Sequence, residues 1–391
     1  MGHYLGTAAE IGLIGVLAAI QWHIARGCIS LVDKHLTGVL RRIARVVLTA
    51  SAIVIISALF LHLPDATHLP LPSVLFGWVR GAALIWAFAS APAWLVVRLF
   101  RPREEPGAET ADTTRRALLQ AMTGAAAAAP FAVVAFGAIV ERTNFQVTEI
   151  DLAVPGLHPD LAGLRLAQLS DIHLSPFLSE EEFARAVDAA NELRPHVAFV
   201  TGDLISVRND PLDACLRQIA RLRADAGVLG CLGNHEIHAG VEDEAAEKAS
   251  SLGIPFLRGQ ARQLQFGNAR INVAGLDYQR MSWHDHYLEG AERLIAPGGF
   301  NVLLQHNPDV FPTAARQNWD LTLAGHTHGG QVNFEILHQD LNVARFYTPY
   351  VRGLYRSGRS AIYVTRGIGT IGMPARIGAP PEITLIRLRK A

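Results

Sequence analysis

From residue 117 to residue 140 the chain carries no charged side chain, and this stretch restricts the possible folds more than any other. A bilayer core is crossed by roughly 20 mostly apolar residues in a helix, because each backbone polar group must be satisfied inside the segment. Stretches 4–25, 46–63 and 73–97 have similar length and character, although Glu10 interrupts the first and Arg80 the third. The front of the chain, residues 1–141, is therefore read as an all-α transmembrane domain of about four helices. A mean hydropathy of +0.21 agrees with that reading. Beyond it, charges and histidines return at ordinary globular density. Residues 142–160 are read as a linker and lead-in strand, and 161–391 as a second domain.

The charges flanking the apolar stretches suggest an orientation. Arg26, Lys34, Arg41, Arg42 and Arg45 lie between the first two stretches, and Arg98, Arg101, Arg103, Arg115 and Arg116 between the last two. No Lys or Arg lies between residues 63 and 73. Cationic loops stay in the cytoplasm, so four crossings leave the second domain on the outer side of an inner or plasma membrane. The stretch "TTRRALLQAMTG" (113–124) has two readings: a twin-arginine export signal, or a basic anchor for the fourth helix. Both put the second domain outside. The 35 basic and 35 acidic residues balance, which removes the electrostatic case for nucleic acid as an obligatory partner. Cys28, Cys215 and Cys231 make no C-x-x-C pair and no disulfide framework, and are read as buried thiols.

After residue 161 short apolar strands alternate with helical stretches, which predicts an α/β domain with reactive groups at the carboxyl ends of its strands. "LRLAQLS" (164–170) leads into "DIHL"; Ser179 and Glu182 then form a capping-box start for a helix. "HVAFVTGD" (196–203) is a second strand, and a helix over about residues 211–223 leads to the strand and polar loop of "GVLGCLGNHE" (227–236). "FNVLLQHNPD" (300–309) and "LTLAGHTHGGQVNF" (321–334) follow the same pattern. Asp171 and His173 are two apart, as are His326 and His328, so on an extended chain each pair points one way. With Asp203, Asn234 and His306 they make a set of carboxylates, an amide oxygen and imidazoles, without thiolate. Such donors suit divalent Mn, Fe, Zn or Mg rather than a structural zinc knot. Glu236 is a candidate for orienting a ligand. Gly325 and the Gly329–Gly330 pair are expected to thin the backbone for a close approach to the site. His238, His284 and His286, and Arg352 and Arg356, are candidates for lining a substrate pocket, or are ordinary surface residues.

Taken in order, D-x-H, G-D, G-N-H-E, a lone His and G-H-x-H-G-G-Q resemble the calcineurin-like metallophosphoesterases. "LLQHNPD", "YVRGLY" and "GIGTIGMP…PPEITLIRL" look like the membrane-associated bacterial branch. The resemblance implies an αββα sandwich with two metal ions at its rim. One ion would be held by Asp171, His173, Asp203 and His328, and the second by Asp203, Asn234, His306 and His326. Asp203 would bridge, while His235 would contact the phosphate and assist the leaving oxygen. The implied activity is hydrolysis of phosphodiesters or phosphomonoesters by water activated between the ions, with lipid-linked phosphates as candidate substrates. The alternatives are a dinuclear-metal amidase or peptidase, and a non-catalytic membrane metal sensor.

Overall fold

The computed structural model describes residues 2–60, 73–100, 113–336 and 339–391. The chain divides into two compact units, Met1–Val140 with Gly372–Ala375, and Glu141–Ile371 with Arg376–Ala391. The first contains helices α1 (Gly2–His35), α2 (Gly38–Phe60), α3 (Ser73–Phe100) and α4 (Thr113–Ile139). All four are long and apolar enough to cross a membrane. Their outward faces show Val39, Leu40, Leu99 and Ile139 to the surroundings, where water would penalise them and lipid does not. Small buried residues such as Ala87 and Ala89 allow close helix contact. Gln21 of α1 bonds Ser90 of α3 at 3.0 Å, satisfying two polar groups inside the bundle.

One sequence expectation needs correction here. The first apolar stretch, read as 4–25, falls within α1, but Arg26 and Lys34 also sit within α1 instead of in a loop. Arg41, Arg42 and Arg45 lie likewise in the first turns of α2. Long cationic side chains tolerate this because their stems run along the helix while their charges reach the interface. The gap read as free of Lys and Arg, together with Arg101 and Arg103, lies mostly outside the described residues.

The second unit holds thirteen strands among its described residues: β1 (Gln146–Val154), β2 (Arg165–Leu169), β3 (Val197–Thr201), β4 (Val228–Cys231), β5 (Gln260–Phe266), β6 (Ala269–Gly275), β7 (Phe300–Leu304), β8 (Leu321–Ala324), β9 (Asn333–Ile336), β10 (Gln339–Asn342), β11 (Gly353–Ser357), β12 (Ser360–Val364) and β13 (Glu382–Lys390). Its helices are α5 (Glu180–Glu192), α6 (Leu212–Ile219), α7 (Asn234–Ala239), α8 (Glu242–Ser251) and α9 (Phe311–Arg316). One sheet runs β1-β13-β2-β3-β4 and the other β11-β12-β8-β7-β6-β5, with β9 and β10 as a separate hairpin. The lead-in strand is part of the first sheet, since all of β1 pairs in parallel with β13.

Strands β2, β3 and β4 are parallel, as are β6, β7, β8 and β12. Parallel strands covered on both faces need continuous apolar runs, and "VAFVT" of β3 is buried throughout. The sheets meet through Leu166, Phe199 and Leu229 on one side and Val273, Val302 and Leu323 on the other. The outer face of the first sheet is covered through Phe183, Val187, Leu216 and Ala245, and that of the second through Leu288, Ala314 and Trp319. The result is the αββα sandwich expected from the sequence. Each buried Leu, Val or Phe adds about 1.5–3 kcal/mol to it. Cys28, Cys215 and Cys231 are free thiols, the last two buried.

Candidate metal centre

Every candidate ligand follows the carboxyl end of a strand. Asp171 and His173 follow β2, Asp203 follows β3, His306 follows β7, and His326 and His328 follow β8. Asn234 opens α7, so "GNHE" begins a short helix rather than the polar loop expected. Parallel strands from both sheets thus deliver side chains to one rim.

The backbone there is not extended. Five of the nine non-glycine residues with positive φ among the described residues are candidate ligands: Asp171 (49°), His173 (46°), Asp203 (56°), His326 (74°) and His328 (52°). Left-handed backbone costs roughly 1–2 kcal/mol at such residues and persists where surrounding structure imposes it. The two-residue spacings therefore converge for a different reason than strand pleating. Each chain leaves its strand and turns inward, and His326 and His328 flank a tight turn capped by the Thr327 side chain.

Donor atoms of Asp171, His173, Asp203 and His328 lie within 4.8 Å of one another, as do those of Asp203, His306 and His326. Asp203 belongs to both groups. His173 Nε2 is 3.5 Å from Asp203 Oδ2 and 3.2 Å from His328 Nε2. His306 Nε2 is 3.0 Å from Asp203 Oδ2, yet it makes no hydrogen bond. Asp171 Oδ2 and Asn234 Oδ1 are also buried without a hydrogen-bond partner. Buried polar atoms are nearly always satisfied, so three orphans among the candidate ligands mark places where a cation fits.

Surrounding groups fix the ligand orientations. Thr201 O accepts from His306 Nδ1 at 2.6 Å, which directs Nε2 inward. Ser206 Oγ lies 3.0 Å from His173 Nδ1. The Glu236 carboxylate accepts from three backbone amides, those of Asp203 (3.0 Å), Leu204 (2.7 Å) and Gly233 (2.8 Å). It thereby ties the loops after β3 and β4 together. Glu236 thus contacts the backbone of a candidate ligand, in line with the orienting role considered for it.

The electrostatics favour positive charge. Burial works to raise the Asp203 carboxyl, but His306 and His235 outweigh it and hold Asp203 well below its ordinary value. Burial raises Asp171, with His306 opposing. Burial likewise works against charge on His306, yet Asp203 and Asp171 bring it up to about 10. A proton on His306 partly neutralises the carboxylates; a divalent cation does so more completely and also uses the orphan lone pairs.

The remaining candidates spread out. His235 lies beside the cluster, its ring 4.7 Å from that of His173 and its Nδ1 2.8 Å from Ser206 O. The His238 ring is 5.9 Å from that of His235. His284 and His286 are exposed and face Asp285 and Glu289. Arg352 donates to Gly378 O and Arg356 to Ala153 O, so both are engaged by backbone. The glycine expectation is corrected. A Cβ at Gly325 would stand 2.1 Å from Asp171 Oδ2, at Gly329 2.6 Å from the Arg366 side chain, and at Gly330 2.7 Å from the Asn342 side chain. These glycines make room for the protein's own side chains. Tyr278, whose ring is 5.3 Å from that of His326 and 6.1 Å from that of His306, borders the cluster without a motif to announce it.

The family model described as calcineurin-like phosphoesterase matches residues 164–330, the span that carries these ligand loops. Residues 164–330 thus form a calcineurin-like phosphoesterase domain. A transmembrane protein with metallophosphoesterase domain from Danio rerio is 33% identical over 258 residues, or 63% of this chain and 58% of the fish protein. The uncharacterized metallophosphoesterase YkuE of Bacillus subtilis is 28% identical over 283 residues, or 71% of this chain and 98% of that one. Phosphodiesterase YaeI of Escherichia coli is 28% identical over 234 residues, or 58% of this chain and 83% of that one. The chain thus spans less than two thirds of the fish relative and nearly all of the Bacillus one. Members of this family use two divalent metal ions, and the two donor groups of the phosphoesterase domain fit that number. With four helices apolar and long enough to cross a bilayer, and relatives named transmembrane proteins, the chain is a membrane protein.

Proposed function

We propose that the chain is a membrane-anchored phosphoesterase that hydrolyses phosphodiester or phosphomonoester bonds on the outer face of the membrane, with lipid-linked phosphates as candidate substrates. The observation that carries this reading is the membership of Asp203 in both donor groups. A carboxylate has two oxygens and can serve neighbouring cations. Asp171, His173, Asp203 and His328 would hold one divalent ion, and Asp203, Asn234, His306 and His326 the other. When bound, such a pair supplies charge neutralisation at the phosphate oxygens and a water of lowered pKa.

The protein's own groups do the rest. Ser206 O accepts from His235 Nδ1, so the imidazolium form of His235 would pass its second proton to the leaving oxygen from Nε2. Thr201 and Ser206 hold His306 and His173 by their Nδ1 atoms, so the imidazoles do not reorient as charge develops. YaeI is named a phosphodiesterase, which supports a diester substrate here. The cationic flanks of the helices support the outer location, and tethering beside a bilayer supports a lipid-linked substrate.

The test uses the full chain in detergent, assayed on bis-aryl and mono-aryl phosphates with Mn, Zn, Fe or Mg. Asp203→Asn is expected to lower turnover by more than about 100-fold, beyond the usual cost of losing a residue that merely supports a ligand. Full activity in that variant overturns the mechanism. Lipid phosphates turned over no faster than a soluble aryl diester remove the lipid-linked part alone.

A further inference from the structure

Arg376 is completely buried, and its hydrogen bonds run to backbone carbonyls of separate loops. Nε donates to Gly369 O at 2.9 Å, Nη2 to Arg366 O at 2.9 Å and Gly369 O at 2.5 Å, and Nη1 to Ala379 O at 2.9 Å. The guanidinium also reaches the ligand His328. Nη1 lies 3.4 Å from its carbonyl oxygen, and Nη2 3.5 Å from its Nδ1.

The loop on the other side of Arg376 packs on two more candidate ligands. Ile368 N donates to Ser170 O at 3.0 Å, and Gly369 N donates to Asp171 O at 2.7 Å. A Cβ at Gly367 would lie 2.5 Å from Asp171 Cβ, and one at Gly369 2.9 Å from His173 Cβ. Arg376 therefore links the loop that braces Asp171 and His173 to the backbone and ring of His328. A guanidinium suits this task because its donors form a rigid planar fork. A lysine ammonium offers three donors from one point and cannot hold carbonyls on several sides. Burying a charge this deeply is costly, so a residue serving only to fill space here would be apolar.

We propose that Arg376 is a positioning residue for the first donor group: it holds His328 in register with Asp171 and His173 so that the three can share one divalent ion. This rests on the two-ion reading above. It is tested on the full chain purified in detergent, loaded with Mn2+ and desalted, with Mn2+ per chain measured by elemental analysis and spin coupling by electron paramagnetic resonance. Arg376→Lys and Arg376→Gln are expected to keep a cooperative thermal transition. Their affinity at one position should fall about 10- to 100-fold, the usual cost of losing a residue that supports a ligand. The desalted variants then lose the spin-coupled signal, and kcat for a soluble aryl diester falls more than KM changes. Adding Arg376→Lys to His328→Ala should cause no further loss of bound metal.

Variants that keep both ions and the coupled signal overturn the proposal. So does loss of the folded transition in both variants, because Arg376 would then hold the fold rather than a ligand. A wild-type chain that binds no Mn2+ sinks the two-ion reading and this inference with it. An intact two-ion wild type beside unaltered variants sinks this inference alone.

Discussion

Gly233 shows how little space the centre leaves. A Cβ there would lie 2.1 Å from Asp203 Oδ1 and 2.6 Å from Asp203 N. Its own φ of −98° is open to any residue, so the restriction is steric. Gly233→Ala must push Asp203 out of both donor groups, and bound Mn2+ is expected to fall for both ions; a variant that retains two refutes the crowding argument. Asp210 offers a pH test away from the ligands. It caps the Ser206 and Val207 amides at 2.9 Å, and burial raises its carboxyl to about 6. The unfolded value is about 3.9, so the folded chain binds this proton more tightly. That stability is present below about pH 4 and is lost as pH rises to about 6, up to about 3 kcal/mol in all. In chelator-treated protein, Asp210→Asn should raise the melting temperature at pH 7.5, with the advantage shrinking toward pH 4. An equal advantage at both pH values rules out this account. The candidate ligands were legible at this scale because Asp, Asn and His recur at the ends of apolar strands, a pattern that core packing does not produce. Arg376 was not legible: one arginine among glycines carries no signal until the fold surrounds it with carbonyls.

At the scale of elements, the start of α5 was readable in detail. Ser179 Oγ accepts from Glu182 N at 3.1 Å while Glu182 Oε2 accepts from Ser179 N at 2.8 Å. Ser179→Ala is expected to cost about 1 kcal/mol, seen as a lower thermal midpoint with unchanged metal content. No drop in the midpoint would show that Glu182 is held by Arg142 instead, which lies 3.4 Å away. Short helices were harder to read. The helix at 211–223 proves to be Leu212–Ile219, and α7 was taken for a loop because six residues show no apolar period. The left-handed turns after β2, β3 and β8 were also hidden. Asp and His tolerate that backbone only under constraint, and the constraint comes from neighbouring loops.

At the scale of the whole molecule, the proposed outer location of the second domain has a direct test. Four crossings and the cationic flanks predict that a reporter active only in the cytoplasm, fused after residue 391, stays silent, while one active only outside works. The reverse pattern overturns the outer location and leaves the chemistry of the centre untouched. Four described helices are long and apolar enough to make those crossings.

By itself, the sequence determined the membrane character, the α/β class and the identity of the donor side chains. Those properties follow from run length, from the apolar strands and from side-chain chemistry, which are local. Tertiary structure alone decided that Asp203 from one sheet lies 3.0 Å from His306 of the other, and that Arg376 comes to rest beside His328. Both juxtapositions depend on two sheets closing over a common core, and no local stretch of the chain encodes that distance.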